Sequence, residues 1–221
     1  MGSRYRNALD ELVSLEDARI SPLLKSSDIG NGPIRYGRKY LLVALRHPGE
    51  DTAPIRDTAP EAWRYLEAHA DPLRRRASSV YRNRPPYSIF GVGDYSSGEW
   101  KVAMSGFVGR VSFAIVEPLE SKAVVLDDST YFLACRSGAE AWPVCRLLDS
   151  APARQFLESM IFWSDKRPIT AGILKRLDLD ALSRELAGEA EYDSFARRRV
   201  AVAGERIDGQ VAPATALRAA R

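Results

Sequence analysis

Two short segments hold residue types at spacings that could do chemistry. Asp94 lies ahead of Glu99-Trp100-Lys101. Two carboxylates there could hold a divalent cation while the lysine steadies an attacking water, as in a metal-dependent nuclease. Those groups normally occupy neighbouring strands of a hairpin, and only four residues separate Asp94 from Glu99. Phe90-Gly91-Val92-Gly93 offers a glycine loop for a phosphate. Such a loop needs a helix N-terminus directly behind its glycines. Here the chain continues DYSSGEWKVA, which reads as a turn and then a strand, with Ser96 where a third glycine should stand. A tight turn with positive φ is the expected use. Asp127-Asp128 reads as a strand-end turn rather than a metal pair.

Other reactive side chains are scarce. Cys135 and Cys145 have nine residues between them and no histidine nearby, and read as small apolar side chains. Two cysteines are too few for a disulfide scaffold or a structural zinc site, so a reduced cytoplasmic setting is expected. Two histidines, His47 and His69, leave little material for metal or triad chemistry.

Charge is more telling. The net value of +3 is small, but Arg74 to Arg84 (RRRASSVYRNR) carries five arginines and no acid. Pro33 to His47 carries four Lys or Arg residues and again no acid. Such a run is commonly just a solvated face, or is paired to acids such as Glu61, Glu67 and Asp71. Tyr36, Tyr40, Tyr81 and Tyr87 lie within or beside the two stretches, and that combination points to a polyanion.

The elements that must position these residues follow from periodicity. Residues 7–19 place Leu9, Leu12, Val13 and Leu15 at helical spacing, predicting a short amphipathic helix. Residues 20–32 read as loop, and 39–47 as a buried strand. A helix follows Pro60, with Trp63 and Leu66 on one face. Residues 88–92, 100–107, 111–118, 123–128 and 130–135 read as short strands between glycine-containing turns. Helical spacing takes over in 139–162, interrupted at Pro143 and Pro152, and in 173–186, with Thr170 as cap. The predicted class is α+β: a mixed or antiparallel sheet with helices packed beside it and a helical C-terminal part.

At 221 residues with 45% hydrophobic and 28% charged side chains, the chain can fill a core. No apolar run is long enough to span a membrane, and the charged N-terminus is unlike a secretory signal. The expected division is an N-terminal helix and lead-in loop (1–32), a main domain (33–191), and a basic tail (192–221), partly disordered or helical.

Several segments together resemble one family. Pro22-Leu23-Leu24-Lys25-Ser26-Ser27-Asp28-Ile29 resembles the leucine-lysine-small-small-aspartate-isoleucine opening of target recognition domains of adenine-N6 DNA methyltransferases. Tyr40-Leu41-Leu42-Val43 sits where their first apolar strand lies. Trp63-Arg64-Tyr65-Leu66 with Leu73-Arg74-Arg75-Arg76 resembles the following helix and its basic exit. Trp100-Lys101-Val102-Ala103 and Leu126-Asp127-Asp128-Ser129-Thr130-Tyr131-Phe132-Leu133 are similar to later segments. Leu147-Leu148-Asp149-Ser150-Ala151-Pro152 departs from the family's leucine-asparagine-serine pattern at Asp149. Lys166-Arg167-Pro168-Ile169-Thr170 before Leu174-Lys175-Arg176-Leu177 resembles its final basic turn and helix. The likeness covers roughly residues 20–180 and is to the TaqI-like specificity domain of type II and IIG enzymes.

This resemblance implies recognition of double-stranded DNA within a restriction-modification system. Methyl transfer and S-adenosylmethionine binding would belong to a separate catalytic domain or subunit, so no cofactor is expected on these residues. Arg84-Pro85-Pro86-Tyr87 is close to the Asn-Pro-Pro-Tyr loop of amino-group methyltransferases, but arginine has only donors and cannot accept the base amino group. Arg75, Arg76, Arg82 and Arg84 are the expected phosphate contacts. Tyr95, Lys101 and Lys166 are candidate base readers on exposed loops, and Lys25, Ser27 and Arg167 complete the expected DNA-binding set. Two alternatives stand beside it: the nuclease built on Asp94, Glu99 and Lys101, and a protein-interaction module that partners a methyltransferase core.

Overall fold

A computed structural model describes residues 3–30, 33–34, 36, 39–89, 91–107, 109–165 and 168–186. Along the chain run β1 (Ser3–Arg6), β2 (Leu12–Leu15), β3 (Ile20–Leu24), α1 (Ser26–Ile29), β4 (Tyr40–Leu42), α2 (Ile55–Thr58), α3 (Pro60–Ala68) and α4 (Ala70–Arg74). Then come α5 (Asp94–Ser97), β5 (Trp100–Ser105), β6 (Ala114–Val116), β7 (Val125–Leu126) and β8 (Thr130–Cys135). The last elements are α6 (Gly138–Leu148), α7 (Ala151–Glu158), α8 (Ala171–Leu174) and α9 (Leu179–Leu186). The fold is α+β, with its helices beside small antiparallel and mixed sheets. No helix among the described residues is long and apolar enough to cross a membrane.

The N-terminal segment departs from the helix expected over 7–19. β1 and β2 form an antiparallel hairpin in which Ser3 faces Leu15. Asn7 decides this locally, because its side-chain oxygen accepts the amides of Leu9 at 2.9 Å and Glu11 at 3.0 Å. Such a side-chain turn competes with helix formation. Asp10 completes it in the left-handed region at φ 66°. Leu9 and Leu12 stay 67% and 60% exposed while Leu15 is buried, so the leucines do not form one helical face.

The expected loop over 20–32 instead opens with β3. That strand pairs antiparallel with β4 over Ile20–Pro22 and parallel with β7 over Leu23–Leu24. Pro22, which has no N–H, sits at the changeover where no ladder donor is required. Of the strand expected over 39–47, only Tyr40–Leu42 pairs.

β5 is the centre of a second three-stranded sheet, between β6 and β8, antiparallel to both. Every residue from Lys101 to Ser105 is buried. Leu24 and Leu126 from one sheet meet Ala103 and Val116 from the other in a shared core with Ile29 of α1. A second core joins Leu15, Ile20 and Leu42 to Ala62, Leu66 and Leu73 of α3 and α4. Each such leucine contributes roughly 1.5–3 kcal/mol by leaving water.

The described residues of the segment 88–92 form no strand. The Ser88 carbonyl, which a ladder would need, is taken by the Arg76 side chain. Gly91 turns with φ 75° as expected, whereas Gly93 is extended at φ 165°, and Phe90 lies outside the described residues. The helical region 139–162 divides at Asp149–Ser150, where Ser150 caps α7 by accepting the Ala153 amide. Pro143 stays inside α6. Thr170 caps α8 as expected. The helix expected to run from 173 to 186 is interrupted, and Asp178 starts α9 by accepting the amides of Asp180 and Ala181. The expected tail, 192–221, lies outside the described residues.

Candidate nucleic-acid interface

The arginine-rich segment leaves a platform made by α3 and α4. Pro60 opens α3, and the next two amides, of Glu61 and Ala62, donate to the Glu16 carboxylate at 2.7 and 2.9 Å. Burial pushes the Glu16 carboxyl upward, but these amide bonds outweigh it and hold the group below its usual range. The cap comes from a residue far away in sequence, just before β3. Ala62 and Leu66 face the core, which leaves Trp63 half-buried with its ring edge-on to Tyr87, centroids 5.4 Å apart.

Arg76 organises the chain beyond α4. Its Nε donates to the Leu73 carbonyl at 2.8 Å and one Nη donates to the Ser88 carbonyl at 2.6 Å. The guanidinium carbon lies 3.8 Å from the centroid of the Tyr81 ring, a cation–π contact. Residues 77–88 are therefore looped around one cation. The Thr52 hydroxyl donates to the Pro86 carbonyl at 2.6 Å, and the Ser88 hydroxyl donates to that of Pro85 at 2.6 Å. Asn83 and Tyr87 take left-handed conformations, φ 58° and 61°. For a residue as bulky as Tyr87 this costs on the order of 1 kcal/mol or more, offset by its contact with Trp63.

Arg75, Arg82 and Arg84 point outward and are exposed. None of them forms an ion pair among the described residues. Glu61 is paired with Arg64, and Asp71 with Arg74 at 3.5 Å, so these two acids do not neutralise them. Beneath the loop is a cavity of about 470 Å3, lined by Trp63, Tyr81, Tyr87, Arg76, Arg82 and Arg84 among others. The interleaving of arginines with tyrosines is visible in the sequence. That Trp63 joins them from a helix, and that Arg76 holds the loop, has no sequence signal.

The other expected contacts lie elsewhere. Lys25 precedes α1 and is half-buried, and its backbone N–H donates to Asp28 at 2.9 Å. Ser27 is exposed on α1. Tyr95 is half-buried on α5, with its ring 6.0 Å from that of Phe132. Burial raises its phenol above the usual value. α5 is a single turn of helix between Gly93 and β5, where the sequence predicts a plain turn. A Cβ on Gly93 would meet the Tyr95 ring at 2.8 Å, so a larger residue there would have to displace that ring. Lys166 and Arg167 lie outside the described residues.

Lys101 needs a correction. It stands in β5, not on an exposed loop, and is 0% exposed. Its ammonium donates to the Gly98 carbonyl, and burial pulls its pKa down to about 8. Central position in a sheet covered on both faces is the physical cause. As placed, the side chain reaches no base edge.

The same placement bears on nuclease chemistry. Asp94 is 93% exposed and 3.5 Å from His47, and Glu99 is exposed, while Lys101 is turned inward. Among the described residues no group of three or more His, Cys, Asp or Glu side chains comes together to hold a metal. Asp127 is the turn residue expected, with one oxygen accepting from the Ser129 amide and from the hydroxyls of Ser129 and Thr130. Burial pushes the thiols of Cys135 and Cys145 up to about 12 and about 11, so both stay neutral and unreactive at neutral pH.

No protein-family model matches this sequence. The chain is 40% identical over 180 residues to the type II methyltransferase M.NspV of Nostoc sp., a match that takes in 81% of this chain and 38% of that protein. The chain thus spans well under two thirds of the length of the curated relative it matches. The similarity is to part of a type II methyltransferase.

Proposed function

We propose that this chain recognises double-stranded DNA for a restriction-modification methyltransferase of the adenine-N6 class, as a target recognition domain. Methyl transfer is then the work of a catalytic domain or subunit that binds S-adenosylmethionine. The observation that carries this reading is the exposure of Arg75 at the end of α4 and of Arg82 and Arg84 on the loop that Arg76 holds, none of them ion-paired among the described residues. Cations arranged so neutralise phosphates and set the protein's register on a duplex. Sequence choice falls to other side chains, for which Lys25, Ser27, Tyr95, Lys166 and Arg167 are the candidates; Lys101 is not among them because it is buried.

The experiment is a titration of the chain against a labelled duplex by fluorescence anisotropy at several salt concentrations. Affinity that falls steeply with salt, and that drops when Arg75, Arg82 and Arg84 are replaced by alanine, upholds the reading. A folded triple variant that binds as the parent does would sink it.

A second reading rests on Trp142, Phe156, Phe162 and Trp163, which are exposed on α6, on α7 and just after it. Exposed aromatic side chains mark contact surfaces, and a methyltransferase core is the partner this reading takes. It forecasts little DNA affinity for the chain alone.

A further inference from the structure

The turn at residues 46–50 joins the arginine loop to the start of α5. Arg84 reaches this turn, with Nη1 3.5 Å from where a Cβ on Gly49 would stand. Glu50 closes the turn. Its amide donates to the His47 carbonyl at 3.2 Å, and its carboxylate accepts the amides of Arg46 and His47 at 2.7 and 3.1 Å. The acid of the turn is thus bonded to its own backbone, while Arg46 is exposed and in no ion pair among the described residues. From the same turn, His47 Nδ1 stands 3.5 Å from an Asp94 carboxylate oxygen. Arg84, Gly49, His47 and Asp94 therefore follow one another along the surface.

Asp94 differs in sign from this surface. Its side chain is 93% exposed, and among the described residues its carboxylate accepts no hydrogen bond. Beside a face that meets phosphates, a carboxylate is repelled unless a donor meets it. A carboxylate is an acceptor and nothing else. In the major groove cytosine presents a lone donor, its 4-amino group, whereas adenine sets an acceptor beside its amino group and guanine and thymine present acceptors.

We infer that Asp94 reads a cytosine by accepting a hydrogen bond from its 4-amino group, with His47 as the positioning residue. The inference rests on reading Arg75, Arg82 and Arg84 as a duplex-binding face, and adds a residue that chooses sequence there.

The test starts from duplexes that the parent chain selects out of a pool randomised at its centre. The selected site should contain a C·G pair whose replacement by T·A weakens binding about tenfold or more. Asp94→Ala should bind the two duplexes almost equally, with a salt slope no shallower than the parent's, because no phosphate contact is lost. Asp94→Asn should move the preference at that pair towards A·T, since a carboxamide supplies both the acceptor and the donor that adenine's edge requires. His47→Ala should narrow the preference at that pair and leave the other selected positions as in the parent; a merely structural role would move them all. If Asp94→Ala fails to fold, the isosteric Asp94→Asn decides alone.

A folded Asp94→Ala that keeps the full preference at every C·G pair overturns the inference. So does a parent chain that binds duplex with steep salt dependence but selects no sequence, a result that leaves the phosphate contacts standing. A parent chain that binds no duplex overturns both readings.

Discussion

Arg76 lies 3.8 Å above the Tyr81 ring and donates to the Ser88 carbonyl at 2.6 Å. Two arginines in the same short run therefore have opposite duties. Arg76 faces inward and closes a loop, while Arg82, on that loop, faces solvent. Their separation into a holding cation and displayed cations makes mutational effects on stability and on binding separable.

Arg76→Ala should destabilise the fold by about 2–4 kcal/mol, since a hydrogen bond from a charged donor contributes roughly 1.5–3 kcal/mol and the ring contact roughly 0.5–1 kcal/mol more. Arg75→Ala, Arg82→Ala and Arg84→Ala should each stay within about 0.5 kcal/mol of the parent, as exposed substitutions do. Urea unfolding measures all four. Equal losses at Arg76 and Arg82 would contradict the division of roles.

Each exposed arginine that meets a phosphate releases about one counterion. In the triple variant of Arg75, Arg82 and Arg84 the slope of log affinity against log salt should become shallower by about 0.9 per genuine contact, so by up to about 2.7. Affinity for all duplexes should fall by a similar factor, leaving discrimination between sequences intact. The check is a salt series on a preferred and a scrambled duplex. Loss of discrimination would place base reading on these arginines instead.

Lys101 gives a pH dependence whose sign is fixed by burial. Its folded pKa of about 8 lies below the ordinary 10.5, so between those values the unfolded chain binds more protons and stability rises with pH. Below about pH 8 the full cost is present, about 3 kcal/mol at roughly 1.4 kcal/mol per pKa unit. Lys101→Met removes this cost but leaves the Gly98 carbonyl without its donor, worth about 1 kcal/mol. The variant should thus be about 1–2 kcal/mol more stable at neutral pH, with the gap closing as pH rises from about 8. The raised thiols of Cys135 and Cys145 act oppositely above about pH 9, because the unfolded thiols ionise first. The parent-minus-variant difference at each pH cancels them. A gap that stays constant from pH 7 to 10 would refute the assignment.

The Glu16 cap should respond in acid. Its folded pKa is lowered, so the stability it contributes is present above its ordinary 4.5 and is lost as pH falls through the folded value. Glu16→Ala removes an acceptor from two amides at the start of α3 and should cost about 1–2 kcal/mol at neutral pH. Thermal melts at pH 7 and pH 3 check this: the variant and parent should converge in acid.

Local features are legible in the sequence. The strands around 100–105 and 130–135, the helix after Pro60, the Thr170 cap and the Gly91 turn follow from side-chain periodicity and turn chemistry, which act over a few residues. The acid-free run from Arg74 to Arg84 is visible as well. Residues 7–19 mislead because four apolar side chains fit a helical period, while one asparagine side chain, by bonding two amides, favours a hairpin.

Sequence alone thus determined the α+β class and the basic segment, both set by composition and short-range pattern. Tertiary structure alone decided what individual residues within that pattern do. It set Leu23 and Leu24 beside Val125 and Leu126, brought Glu16 to the start of α3, buried Lys101 in a central strand and turned Arg76 inward while leaving Arg82 outside. The physical reason is the same in each case. A charged side chain becomes a cap, a clasp or a surface contact according to which distant amide, carbonyl or ring meets it when the sheets and helices pack, and that meeting has no signature within a few residues of the chain.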